Sequence, residues 1–96
     1  MYKRQDQVAE KLSSRWLGID LEWQKVGAYQ VSGVRRGSPA ERIGLQPGDF
    51  VLAVNGLALD GEAALTRAML DLRGRERALV VVQRGPGRYH LTIPLP

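Results

Sequence analysis

Residues 37–56 read Gly37-Ser38-Pro39-Ala40-Glu41-Arg42-Ile43-Gly44-Leu45-Gln46-Pro47-Gly48-Asp49-Phe50-Val51-Leu52-Ala53-Val54-Asn55-Gly56. Ser38 suits the cap of a helix, Pro39 its first position, and Glu41, three residues past the cap, completes a capping box. Gly44 stops that short helix after Ile43. Pro47-Gly48 suits the central positions of a type II turn: proline presets the first dihedral and glycine accepts the positive φ of the second. Residues 50–54 then form an apolar strand, and Asn55-Gly56 is a hairpin signal leading into Leu57-Ala58-Leu59.

Upstream, residues 28–35 make a strand whose Val31 and Val34 are three apart, so strict alternation fails. A bulge near Ser32-Gly33 restores both to the core. Before it, residues 16–24 (WLGIDLEWQ) alternate after Gly18, with Ile19, Leu21 and Trp23 on one side and Asp20, Glu22 and Gln24 on the other. That is the period-2 pattern of a half-buried strand. Residues 3–14 are polar, with Val8 and Leu12 four apart, and read as a linker helix with a narrow apolar stripe. Downstream, Asp60 can cap a helix over 61–72 with Leu65, Met69 and Leu72 as its core stripe. Gly74 ends it. Residues 78–83 and 88–95 are strands joined through Gly85-Pro86-Gly87. The order is helix, β, β, short helix, β, β, helix, β, β.

The composition agrees with one small globular domain. The chain has 96 residues, 44% hydrophobic and 25% charged, which is ordinary for such a domain. Without cysteine there is no disulfide scaffold, thiolate metal site or cysteine nucleophile. No apolar run approaches the length needed to span a bilayer, and no signal-type apolar segment follows Met1. Any targeting signal is therefore expected outside these residues. Fourteen Lys plus Arg against ten Asp plus Glu give +4. The whole surplus lies in residues 73–88, where Arg73, Arg75, Arg77, Arg84 and Arg88 face Glu76 alone.

Little catalytic chemistry is on offer. His90 is the only histidine, sits in an expected strand, and has no nucleophile elbow to serve. The acids are spread singly, and Asp49 after Pro47-Gly48 reads as a turn residue. We therefore expect no enzyme in this chain, no metal and no cofactor. The glycines match no phosphate-binding pattern. The arginine segment lacks the interleaved aromatics of single-strand binders, with only Tyr89 nearby, so no nucleic acid is expected. Peptide binding is the class for which residues speak. Gly18 allows a turn in which consecutive N–H groups point outward as an anion nest, at the start of a strand that could pair with an extended peptide. The same residues also fit a simple strand entry with a packed Trp16.

Trp16-Leu17-Gly18-Ile19, the run Gly37 to Asp49 and Val54-Asn55-Gly56 together resemble a PDZ domain, over about residues 16–95. The element order is similar to the bacterial, circularly permuted kind, in which the strand that opens the animal version comes last. Within it, the pattern looks most like the PDZ domains of HtrA/Deg-type envelope serine proteases. There a helix ending in Ala-Glu-x-Leu leads into the loop; here Val8-Ala9-Glu10-Lys11-Leu12 precedes Trp16 by a shorter linker.

The resemblance implies an α+β fold: a PDZ-like, partly open barrel or sandwich of five to six strands with one short and one long helix. Residues 1–15 would be a linker helix and 16–96 the domain. It implies that Leu17, Gly18 and Ile19, with Trp16 beside them and Arg15 as the preceding basic residue, bind a peptide carboxylate. Strand 19–24, with Asp20, Leu21 and Glu22, would accept the peptide, and helix 61–72 would form the opposite wall. Leu65 and Met69 would underlie the terminal side-chain pocket, with Glu62 and Thr66 at its rim. Glu62 stands where class I animal domains carry histidine, so their Ser/Thr preference is not implied. Ile19 in place of the common Phe implies an apolar ligand end such as Val, Leu, Ala or Phe.

The partners so implied are C-terminal or unfolded segments and the protease domain of a parent chain, in the periplasm or envelope, near a membrane only through that parent. Another PDZ-bearing machine remains open as parent: a secretion component, a C-terminal processing protease or an intramembrane metalloprotease. So do an oligomerisation role, binding of internal segments and, as the remote alternative, a basic nucleic-acid-binding domain. On this reading Gly18→Val should abolish binding while the fold survives.

Overall fold

The computed structural model describes residues 13–95. The linker helix expected over 1–15 lies for the most part outside them. Six strands form one antiparallel sheet: β1 (Ile19–Gln24), β2 (Ala28–Val34), β3 (Phe50–Val54), β4 (Leu57–Ala58), β5 (Arg77–Arg84) and β6 (Gly87–Pro94). Their order is β1-β2-β3-β5-β6, with β4 pairing β3 off that path. Among the described residues two α-helices complete the α+β fold, α1 (Pro39–Arg42) and α2 (Glu62–Asp71).

The decisive stretch folds as its residues dictate. The Ser38 side chain accepts a hydrogen bond from the Glu41 N–H at 3.2 Å, and the Glu41 carboxylate accepts from the Gly37 N–H at 2.6 Å. Past α1, the Leu45 N–H donates to the Ala40 carbonyl at 3.0 Å, satisfying an orphan carbonyl while Leu45 buries its side chain. In the next turn Gly48 has φ +99°, and the Asp49 N–H donates to the Gln46 carbonyl at 3.1 Å. The expected bulge is present: Asp20 pairs Gly33 and Leu21 pairs Val31, leaving Ser32 as the extra residue of β2.

A contact that the sequence did not announce fastens this stretch to the sheet. Asp49, 2% exposed, receives Arg84 Nε at 2.7 Å on one carboxylate oxygen and Arg84 Nη2 at 2.7 Å on the other. The same Nη2 donates to the Gly44 carbonyl at 2.8 Å, and the Gln46 N–H donates to Asp49 at 2.9 Å. Burial works to raise the Asp49 pKa. It is outweighed by the hydrogen bonds from Arg84 and Gln46 and by the attraction of Arg84, so the carboxyl sits below its ordinary 3.8. Such a fork is stronger than neutral bonds because donor and acceptor are both ionised.

The core takes one face of the sheet and the inner stripe of α2. Ile19, Val51, Val80 and Ile93 from strands meet Leu65, Ala68 and Met69 from α2, all at most 2% exposed. Burying a side chain such as Leu65 stabilises by about 1.5–3 kcal/mol.

Several boundaries differ from the expectations. The helix is one residue shorter at each end than 61–72. Gly61, extended at φ 168°, holds the cap position with no side-chain bond, so Asp60 does not cap it. The first strand begins at Ile19 because Ser13–Leu17 wind into one π turn instead. Trp23, expected on the core side, is 47% exposed: β1 outruns the core there, and the ring packs edge-on against Tyr29 across the strand pair at 5.0 Å. The β5–β6 turn is Gly85-Pro86 alone, with Gly87 already paired to Arg84.

Candidate functional site

Gly18 is the hinge between the π turn and β1. Its φ is +82°, in the left-handed region that glycine enters without steric cost. Space demands glycine as well: a Cβ on Gly18 would overlap the Cβ of Ser38 and lie 2.6 Å from its Oγ. Ser38 caps α1, so the punctuated stretch backs directly onto the loop. Gly18→Val is therefore expected to cost stability as well as binding.

The loop's donors are also arranged differently from a fully outward nest. The Gly18 N–H donates to the Ser13 carbonyl at 3.0 Å, closing the π turn, and the Gly18 carbonyl accepts from the Arg35 N–H at 2.8 Å. Ser13 is fully buried, and its Oγ–H donates to the Ile19 carbonyl at 3.2 Å.

Along β1 the backbone groups alternate in direction. Gly18 uses its carbonyl toward β2, and Ser32 Oγ donates to the Asp20 carbonyl at 3.2 Å from the same side. Val31, opposite Leu21, spends its N–H and C=O on Asp49 and Gly48, on the far side of β2. Antiparallel pairs alternate between residues that exchange both bonds and residues that exchange none. Asp20, Glu22 and Gln24 therefore turn their backbone groups to β2, while Ile19, Leu21 and Trp23 turn theirs outward. Since β1 is the first strand of the sheet, that outer side has no strand partner among the described residues. Their side chains follow the pleat: Ile19 and Leu21 are buried, Asp20 and Glu22 exposed.

On α2, Leu65 and Met69 are buried in the same apolar cluster as Leu17, Ile19 and Leu21. Glu62 is exposed and Thr66 half-buried, its Oγ1 inaccessible and without a hydrogen-bond partner. Ala63, Thr66, Arg67, Leu70 and Asp71 line a shallow depression of about 490 Å³ along the helix. A second, of about 210 Å³, is lined by Trp16, Leu72, Arg73, Gly74, Arg75 and Leu95. Arg75 is paired with Asp71 at 3.0 Å there, both side chains half exposed. Arg15 is exposed on the π turn. The structure thus brings Trp16 beside Arg73, a proximity the sequence does not display.

Ser13 and Ser38 are the residues around this site that sequence reasoning missed. Ser38 was legible as a cap, but its approach to Gly18 is a contact across twenty residues. Ser13 had a local signal: it stands five residues before a glycine, the spacing of a π-turn bond.

Comparisons with known proteins bear on this geometry. The PDZ domain family model matches residues 30–84. A probable CtpA-like serine protease of Staphylococcus aureus is 40% identical over 79 residues, which is 79% of this chain and 16% of the relative. The HtrA3 PDZ domain bound to a phage-derived ligand (FGRWV) aligns with a TM-score of 0.71 at 26% identity, covering 85% of each chain. The HtrA-type protease AlgW with decapeptide aligns at 0.69 and 26% identity, covering 83% of this chain and 28% of that one.

Proposed function

The chain belongs to the PDZ domain family, and from that premise we propose that it captures the C-terminal end of a protein or peptide by strand addition along β1. The observation that carries this reading is the outward set of backbone groups on Ile19, Leu21 and Trp23, starting at the Gly18 loop. An extended peptide pairs with such an edge through main-chain bonds and gains selectivity from pockets for alternate side chains. Leu17, Gly18 and Ile19 hold the carboxylate, with Trp16 and Arg15 flanking. Asp20, Leu21 and Glu22 run beside the peptide: Leu21 offers the backbone bonds, while Asp20 and Glu22 present charge to its neighbours. Leu65 and Met69 floor the pocket for an apolar end residue, and Glu62 and Thr66 stand at its rim. The positive charge near the carboxylate comes from Arg73 as well as Arg15, since Arg73 shares a depression with Trp16. An affinity around micromolar, roughly −8 kcal/mol, is expected for so small a contact.

The chain spans 16% of the staphylococcal relative it matches. We read the parent as an exported serine protease of the C-terminal processing kind. The 40% identity to a CtpA-like protease supports this over the HtrA/Deg kind, for which the similar structures are 26% identical. Peptide capture would then recruit or position substrates for that protease in the periplasm or envelope.

Titration of peptides ending in Val, Leu, Ala or Phe, with free or amidated C-termini, tests the reading. Binding should drop at least tenfold on amidation. Equal binding of both forms favours a second reading, capture of internal segments, which the engaged Gly18 N–H supports.

A further inference from the structure

We infer that Ser13 stands in for the last residue of a ligand and holds the loop end of the β1 edge closed, so that peptide capture is coupled to displacement of the π turn. This rests on the carboxylate-binding reading above and adds a regulation to it.

A peptide's terminal residue, added to β1, needs two groups at this end of the edge. Its carboxylate needs N–H donors of the loop, and its own N–H needs the outward carbonyl of the first strand residue. Ser13 already answers both. Its carbonyl accepts from the Gly18 N–H at 3.0 Å, and its hydroxyl donates to the Ile19 carbonyl at 3.2 Å. Ile19 is one of the three residues whose backbone groups face the open edge, so the two bonds fall at the point where a ligand's final residue would lie. Ser13 is fully buried. A ligand therefore reaches these groups only if Ser13 leaves.

The turn is suited to leaving. It is a single π turn of five residues, Ser13–Leu17, and one turn of helix is marginal without further packing. Its two buried ends are anchored differently: Leu17 belongs to the apolar core, whereas Ser13 is held by polar contacts, with Arg15 exposed between them. The turn can unwind from Ser13 while Leu17 stays in place. Both bonds it makes at the site are between neutral groups, and a carboxylate would replace the one on Gly18 with a charge-assisted bond. Apparent affinity then falls in proportion to the fraction of molecules in which the turn is open. Because Ser13 follows the chain segment 1–12, anything that pulls on or buttresses that segment would tune peptide affinity.

The test uses the 96-residue chain and the tightest-binding apolar-ended peptide of the panel above. Ser13→Ala removes the hydroxyl donor. Ser14→Pro breaks the turn, since the residue before proline, here Ser13, is driven out of helical geometry. Amide hydrogen exchange reports Gly18 directly, with Val51 and Val80 as core controls. In the wild-type chain without peptide, the Gly18 amide should exchange slowly. In Ser14→Pro it should exchange at least tenfold faster with the core unchanged. Both variants should bind the free-carboxylate peptide about three- to tenfold more tightly, and the amidated peptide by a smaller factor. Unchanged or weakened binding in variants whose core amides stay protected overturns the latch alone. A wild-type chain that binds free and amidated peptides equally overturns the carboxylate reading, and the latch with it.

Discussion

Residues 37–56 and the segment Ser13–Gln24 touch where Ser38 meets Gly18, yet they are built on opposite plans. In the first, the polar groups answer one another within a few residues: Ser38 with Glu41, Gly37 with Glu41, Leu45 with Ala40, Asp49 with Gln46. In the second, half of the backbone groups of β1 face away from the sheet. Two of the bonds at its entry are made by Ser13, in a turn that lies over the proposed ligand position. Local closure makes a stretch recognisable and rigid. Open groups make a stretch able to bind, and leave its meaning dependent on what lies opposite.

The largest effect expected from breaking this pairing is at the contact itself. Gly18→Val places a β-branched residue at φ +82° and drives its Cβ into Ser38. The strain and overlap together should cost about 3 kcal/mol or more. For a domain of this size that lowers Tm by more than about 12 °C, measurable by thermal melting. A Tm within a few degrees of wild type would show that the two stretches are not locked together.

Asp49→Asn should cost about 2 kcal/mol in chemical denaturation, because a buried, charge-assisted fork is lost while its half-exposed partner regains water. The pH dependence has a definite sign. A folded-state pKa below the ordinary 3.8 means that the stabilisation is fully present above that value and drains away as pH falls through the folded pKa. Wild-type stability should thus decline below about pH 4, and the Asn variant should lack that component of the decline. Matching acid profiles would remove Asp49 from the account.

A smaller loss, about 1 kcal/mol, is expected for Ser38→Ala, which deletes the cap of α1 while leaving room beside Gly18. Peptide affinity should be unaffected. A change in affinity without a change in stability would mean that α1 shapes the loop more directly than its packing indicates.

The smallest effect separates binding from folding. Arg73→Glu should leave Tm unchanged and weaken the free-carboxylate peptide severalfold at low salt, with little effect on the amidated form and a difference that shrinks as salt screens it. If Arg15→Glu weakens binding more than Arg73→Glu does, the basic neighbour of the carboxylate is the one on the π turn.

Much of the fold was legible because its signals are short-range. The cap at Ser38, the turn at Pro47-Gly48 and the bulge at Ser32 each follow from a few adjacent residues and the dihedrals they permit. Less of the site could be read. Leu17, Gly18 and Ile19 were recognisable in company with the rest of the pattern, but Ser13 was not, because its role depends on the loop folding back over it. The +4 segment was visible as composition, yet its parts diverge in space. Arg84 is spent on Asp49 and Gly44, Arg75 is paired with Asp71, and Arg73 lies beside Trp16.

The sequence by itself determined which backbone bends where: helix stops, turns and strand phases are set by proline, glycine, capping side chains and alternation, all acting over a few residues. Only the tertiary structure decided that β1 ends the sheet among the described residues, which of its residues turn their hydrogen-bonding groups outward, and that Ser13 engages the Ile19 carbonyl and the Gly18 N–H beside it. Strand order and close approach depend on contacts between residues far apart in the chain, and no local preference encodes which surface will be left without a partner.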